Sequence, residues 1–147
     1  MNNKETTYQA YYRTNVQTSD QLRLIIMMYD GLLRFLKKAV VKINVGDVES
    51  AHNYLTRSKN ILQELLTTLR VDKGGEIAKN LKELYLYCFK RLVEANLRKD
   101  PELVQEVIKI VSNLREGWLQ VQDRQQKQLK QSAELVSQSD KRIRVQG

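Results

Sequence analysis

An all-α fold is what this sequence predicts, and three observations predict it. Glycine and proline number only six and one in 147 residues, too few to turn the many short strands of an all-β domain of this size. Leu, Lys, Gln, Glu and Ala, which enter helices at little cost, are abundant along the chain. Apolar residues recur at spacings of three, four and seven over four long stretches, the period of a helix face. The length suits one domain with one core. Short connections make sequential helices antiparallel. The expected architecture is therefore an up-down antiparallel four-helix bundle with a mobile N-terminal arm and a polar, basic C-terminal tail.

Residues 1–17 are polar, yet Tyr8, Tyr11 and Tyr12 crowd into them. No helical or strand period runs through the segment, so it is expected to be an extended arm. A tyrosine carries a large apolar ring with one polar handle, which makes Tyr8 and Tyr11 the candidates for docking the arm onto a surface.

The bundle is expected over 18–123. Its first helix, about 20–44, starts where Ser19 or Asp20 can cap free backbone N–H groups and stops at Gly46, a natural residue beyond a helix C-terminus. Leu22, Ile25, Ile26, Tyr29, Leu32, Leu33, Leu36, Ala39, Val40 and Ile43 form its core stripe, while Leu24, Met27, Met28 and Phe35 spread beyond it. A helix with two neighbours has no internal use for so wide an apolar face. Something else is expected to cover it.

The second helix, 48–71, follows the N-cap Asp47 with Val48, Ala51, Leu55, Leu62, Leu65 and Leu69 on one stripe and Ile61 and Leu66 beside it. Asp72-Lys73-Gly74-Gly75 breaks the chain. The third helix, 76–98, carries Ile77, Leu81, Leu84, Cys88, Leu92 and Ala95, flanked by Tyr85, Phe89 and Val93. Asp100-Pro101-Glu102 opens the fourth, 101–122, with a capping Asp, a Pro at the first helical position and an acid that suits the helix dipole. Leu103, Val107, Ile110, Leu114 and Val121 give its stripe. From 124 to 147 the period decays into Gln, Lys and Ser, read as a helical extension or a disordered tail, with disorder expected over the last dozen residues.

No chemistry is visible. His52 is the sole histidine and has no partner at a metal-ligand spacing. Cys88 lies on an apolar stripe and reads as a small buried hydrophobe; being single, it forms no internal disulfide. No Glu-x-x-His pair of the di-iron bundles occurs, and Gly74-Gly75 lacks the pattern of a phosphate loop. No catalytic residue, metal site or cofactor is expected, and the chain is read as a non-enzyme. The N-terminus is polar, and the longest apolar run is Leu24 to Tyr29, far short of the roughly 20 residues that span a bilayer. A cytoplasmic protein without stable membrane association is expected. The net charge of +8 leaves nucleic acid as the alternative partner, although the basic residues are scattered among acids. Self-association through the apolar face is a third reading.

Certain runs carry a family resemblance. Tyr8-Gln9-Ala10-Tyr11, Val16, Thr18, Leu24 and Met27-Met28-Tyr29-Asp30-Gly31 resemble the N-terminal third of the bacterial flagellin chaperones, the FliS family. Asn60-Ile61-Leu62-Gln63-Glu64-Leu65 is similar to that family's second helix. Tyr85-Leu86-Tyr87 with Arg91-Leu92-Val93-Glu94-Ala95-Asn96 is similar to the third, and Leu114-Arg115-Glu116-Gly117-Trp118 to the fourth. Two departures stand out: Asp20-Gln21 replaces the usual Ser or Thr followed by Pro, and Leu86 replaces an acid.

The resemblance implies a cytosolic export chaperone. Such a protein binds the disordered C-terminal segment of flagellin in hydrophobic grooves, prevents premature polymerisation and delivers it to the flagellar type III export gate. On that reading the groove candidates are Leu24, Met27, Met28, Ile61, Leu62, Tyr85 and Phe89. Tyr8 and Tyr11 would hold the arm on the bundle until the client displaces it. Asp30, Arg91 and Glu94 would lock the bundle, and Trp118 would plug its end. The implied partners are flagellin and the export gate, with room for a flagellar regulator or co-chaperone, and the chain would be a monomer or weak homodimer.

Overall fold

The computed structural model describes residues 3–146 and places them in four helices: α1 (Asn3–Asn44), α2 (Val48–Thr68), α3 (Val71–Arg98) and α4 (Pro101–Gln146). No strand occurs among the described residues. The fold is the all-α bundle that the periodicity implies. Two compact units divide the chain. Residues 27–115 form the bundle unit, with parts of all four helices; the terminal unit comprises the start of α1, up to Ile26, and the end of α4, from Glu116.

The core of the bundle unit follows the sequence stripes on α1 and α2 and turns from them in part on α3 and α4. There Tyr85, Val104 and Val111, beside the stripes, are buried, while Leu81, Leu84, Leu103, Ile110 and Leu114 are half-buried. Tyr29, Leu32, Leu36 and Ala39 of α1, Ala51, Leu55, Leu62 and Leu65 of α2, Ala78, Tyr85, Cys88, Leu92 and Ala95 of α3, and Val104, Val107 and Val111 of α4 are buried. Each large aliphatic side chain so buried contributes about 1.5–3 kcal/mol. Ser58, also buried, satisfies its hydroxyl within α2 by donating to the Tyr54 carbonyl at 2.8 Å. Three stripe residues face outward instead: Val48 in the first turn of α2, Ile77 just past the α3 kink, and Val121 of α4.

The helix ends use the expected devices. Asp47 Oδ1 accepts from the Ser50 backbone N–H at 3.1 Å, and Asp100 Oδ1 accepts from Glu102 N–H at 2.9 Å, just ahead of α4. Gly46 takes a φ of 77° after α1. Lys99 closes α3 at a φ of 52°, a left-handed cap usually given to glycine, and its ammonium donates to the Asn96 carbonyl at 2.6 Å.

Polar contacts tie the helices of this unit. Arg115 Nε of α4 donates to Asp30 Oδ1 of α1 at 2.6 Å. Arg91 of α3 lies 3.5 Å from Glu106 of α4. Glu94 stays within α3, pairing with Arg91 at 3.0 Å and Arg98 at 3.4 Å. Asn96 of α3 and His52 of α2 share a hydrogen bond of 2.8 Å.

Several expectations need correction. Residues 3–17 are not an extended arm; they are the first turns of α1. No glycine or proline precedes Gly31, so nothing interrupts the backbone ladder, and Asp20 sits inside the helix, 3.6 Å from Arg23, instead of capping it. Of the two readings of the tail, the helical extension holds, to Gln146, and the disorder expected over the last dozen residues does not. The tail lacks an apolar period but is rich in Gln and Lys and carries pairs such as Asp123–Lys127 at 3.1 Å. Helix α2 ends at Thr68, short of residue 71, with Leu69 extended. Helix α3 begins at Val71 but is broken at Gly75, whose φ of 60° and ψ of −140° are not helical. Trp118, expected as a plug, is only half-buried in the terminal unit.

Candidate functional site

Helix α3 of the bundle unit presents the clearest apolar surface. Its inward face is set by Ala78, Tyr85, Cys88, Leu92 and Ala95. On one flank Asn96 reaches His52 of α2. On the other, Tyr87 donates a hydrogen bond to Glu106 of α4, and Arg91 Nε donates to the Tyr87 hydroxyl at 3.0 Å. Between these flanks, on the side facing away from the core, lie Leu86, Val93 and Leu97. Their spacings of seven and four put them on one line along the helix.

These three are 44%, 36% and 82% exposed. Half-buried Phe89 joins the line to the core. A line of apolar side chains at helical spacing can take the spaced anchors of an amphipathic segment.

The seven groove candidates separate. Met27, in the bundle unit, is exposed, and Met28, Ile61 and Phe89 are half-buried. Ile61 lies over Gly31 of α1, its Cδ1 3.5 Å from where a Cβ on that glycine would stand. Leu24, in the terminal unit, is exposed. Leu62 and Tyr85 are buried core residues and offer no surface, because the α2 and α3 positions they occupy face the bundle axis. Tyr8 and Tyr11 lie on the backbone of α1, but their side chains lie outside the described residues.

Sequence reasoning does not single out Leu86, Val93 and Leu97 as a surface. The signal is present as a second apolar line on the third helix, displaced from the core stripe and repeating at seven and four.

Burial, with the nearby Glu106 charge, pushes the Cys88 thiol up to about 12, so it is not a nucleophile at neutral pH. The Tyr87 hydroxyl and the Glu94 carboxylate hold the Arg91 guanidinium above its ordinary value. Among the described residues no three His, Cys, Asp or Glu side chains converge as metal ligands, and no helix is long and apolar enough to cross a membrane. The terminal unit has an open cleft of ≈ 530 Å³ lined by Gln9, Arg13, Ala133, Val136, Ser137 and Asp140.

The chain is similar to known proteins over most of its length. It is 38% identical to the flagellar secretion chaperone FliS of Salmonella typhimurium over 114 residues, 77% of this chain and 84% of that one. It is 33% identical to the flagellar secretion chaperone FliS of Bacillus subtilis over 116 residues, 79% and 86% of the two chains. A solved structure described as a flagellar chaperone from bacteria superposes with a TM-score of 0.70 at 16% identity, covering 81% of this chain and 97% of that one, which supports the fold. The family model for flagellar protein FliS matches residues 2–126. By these likenesses, the chain belongs to the FliS family.

Proposed function

We propose that this protein is a cytosolic export chaperone that binds the disordered C-terminal segment of flagellin, blocks its premature polymerisation and hands it to the flagellar type III export gate. Membership of a family whose relatives are flagellar secretion chaperones supports the reading. The observation that carries it here is the exposed line Leu86–Val93–Leu97 with Phe89 beside it. A client segment that folds onto this line as an amphipathic helix would cover it. Met27, Met28 and Ile61 are a second apolar contact proposed for the same client. Ordering a disordered client costs about 2–5 kcal/mol, so its binding needs substantial apolar burial.

The test is calorimetric titration of the full chain with a peptide covering the C-terminal region of its own flagellin, at low and high salt. One-to-one binding with a large negative heat capacity change, little weakened by salt, is expected. In V93D and L97D it should fall by about tenfold or more, the weight of one lost anchor. Absence of binding at both salts, or variants that bind like the parent, would overturn the assignment.

A further inference from the structure

A second surface of the bundle unit has a different chemistry. Where α1 packs on α2, half-buried Phe35 and Tyr54 stand with ring centroids 6.1 Å apart, their planes inclined by 31°. Three cations converge on this pair. The guanidinium of Arg34 lies 5.5 Å from the Phe35 centroid and that of Arg57 5.7 Å. The Lys38 ammonium is 5.6 Å from the Tyr54 centroid, and Arg57 is 5.8 Å from the same ring.

The same unit holds a comparison within itself. Arg91 also stands over a ring, 5.2 Å from the Tyr87 centroid, but Glu94 and Glu106 lie within 3.0 and 3.5 Å of its guanidinium. That cluster supplies its own anions. No described carboxylate lies within ion-pair reach, 4.0 Å, of Arg34, Lys38 or Arg57. Ring faces position a cation and limit its freedom, yet three cations gathered without an anion repel one another. The cluster is preorganised and left one component short.

We infer that this α1–α2 patch is a docking surface for an acidic, partly apolar segment of a partner protein. Its carboxylates would pair with Arg34, Lys38 and Arg57, and its apolar side chains would rest on the exposed parts of Phe35 and Tyr54. Guanidinium groups held in place suit carboxylates through paired N–H donors. A nucleic acid fits less well. Base stacking needs open ring faces, and here the protein's own cations stand over them. Three cations also span few phosphates. The surface is separate from the apolar line on α3 but adjoins Ile61, part of the second contact proposed for the client. A Cβ on Gly31 would stand 3.5 Å from Ile61 Cδ1 and 4.0 Å from an Arg34 guanidinium nitrogen. The inference does not rest on the client proposed for the α3 line.

The experiment uses the full chain and fluorescence anisotropy. The probes are a labelled peptide of alternating glutamate and leucine, its twin with glutamine in place of glutamate, and a labelled oligothymidylate. The acidic peptide is expected to bind, with affinity falling as salt rises, and its twin to bind about tenfold more weakly or worse. R34Q/R57Q, checked for helicity by circular dichroism, should lose about tenfold for the acidic peptide. K79Q/K82Q, a basic pair elsewhere on the bundle, should keep the parent's affinity, and binding of the flagellin peptide to R34Q/R57Q should be unchanged. Equal binding of the two peptides would overturn the inference, as would a folded R34Q/R57Q that binds like the parent. Oligothymidylate binding that R34Q/R57Q abolishes would reassign the patch to nucleic acid, and loss of flagellin binding in that variant would merge it with the client site.

Discussion

The hydroxyls of Tyr29 and Tyr85, 56 residues apart in sequence, are hydrogen-bonded to each other in the buried centre of the bundle unit. Their rings meet at 57° with centroids 6.4 Å apart. Each phenol thus places its polar end on the other instead of leaving it against aliphatic side chains, which ties α1 to α3 at a defined register. Y29F and Y85F should each cost about 1 kcal/mol in denaturant unfolding. The double variant should cost less than the sum of the two by about 0.5 kcal/mol or more, since both singles remove the same bond. Strict additivity would show that the two hydroxyls act independently.

Cys88 should be nearly inert in the folded protein. With its thiol pushed up to about 12, its thiolate population at pH 8 is on the order of 10³-fold below that of an ordinary cysteine of pKa ~8.5. Labelling by a disulfide reagent should be slow in buffer and immediate in denaturant. Fast labelling of the native chain would mean that α3 opens readily.

Two glycines should respond oppositely to alanine. Gly75 has a φ of 60° and a ψ of −140°, and open space surrounds the position a Cβ would take, so G75A suffers from the backbone alone, about 1–3 kcal/mol. Gly117 has ordinary helical backbone within α4 and nothing within 4 Å of an added Cβ. G117A should stabilise by about 0.5–1 kcal/mol. Thermal unfolding of the two variants reads both signs.

The cap of α2 gives stability a pH dependence. The Asp47 carboxyl is held below its ordinary value, chiefly by the hydrogen bonds from Ser50. A depressed carboxylate contributes its stabilisation in full above the unfolded value, about 4, and loses it as pH falls through the folded value. The Tm of D47A should therefore lie below the parent's at neutral pH, and the gap should close in acid. D47N, which also caps, should stay near the parent at neutral pH.

The bundle is legible in the sequence wherever one face of a helix is dry. Leu32, Leu36, Leu55, Leu92 and Val107 stand in the core at the spacings that their helices require, and Asp47, Gly46 and Pro101 mark boundaries through local backbone chemistry. The ends are poorly legible, because helix over 3–17 and 124–146 shows no apolar period. The first stretch carries many Thr, Tyr and Asn residues of weak helix preference but no Gly or Pro, and the second is rich in helix-forming Gln and Lys. The candidate surface is half legible for a different reason. Leu62 and Phe89 look alike as apolar positions on a helix, but whether one is covered depends on where neighbouring helices lie, and spacing along one helix does not contain that. Leu86 stands out in the sequence only as a departure from a pattern, although with Val93 and Leu97 it forms the exposed line on α3.

The contact between Asp30 and Arg115, separated by 85 residues, bears on how the protein is made. Its first partner belongs to α1 and its second to α4, so the bundle unit closes only after the chain has been synthesised through residue 115. Until then α1 is translated without the helix that completes its packing, and its apolar stripe stands open to other chains. Closure over such a span is set by non-local contacts and is slower than local helix formation. A protein proposed to shelter another chain thus passes through a stage in which it needs shelter itself.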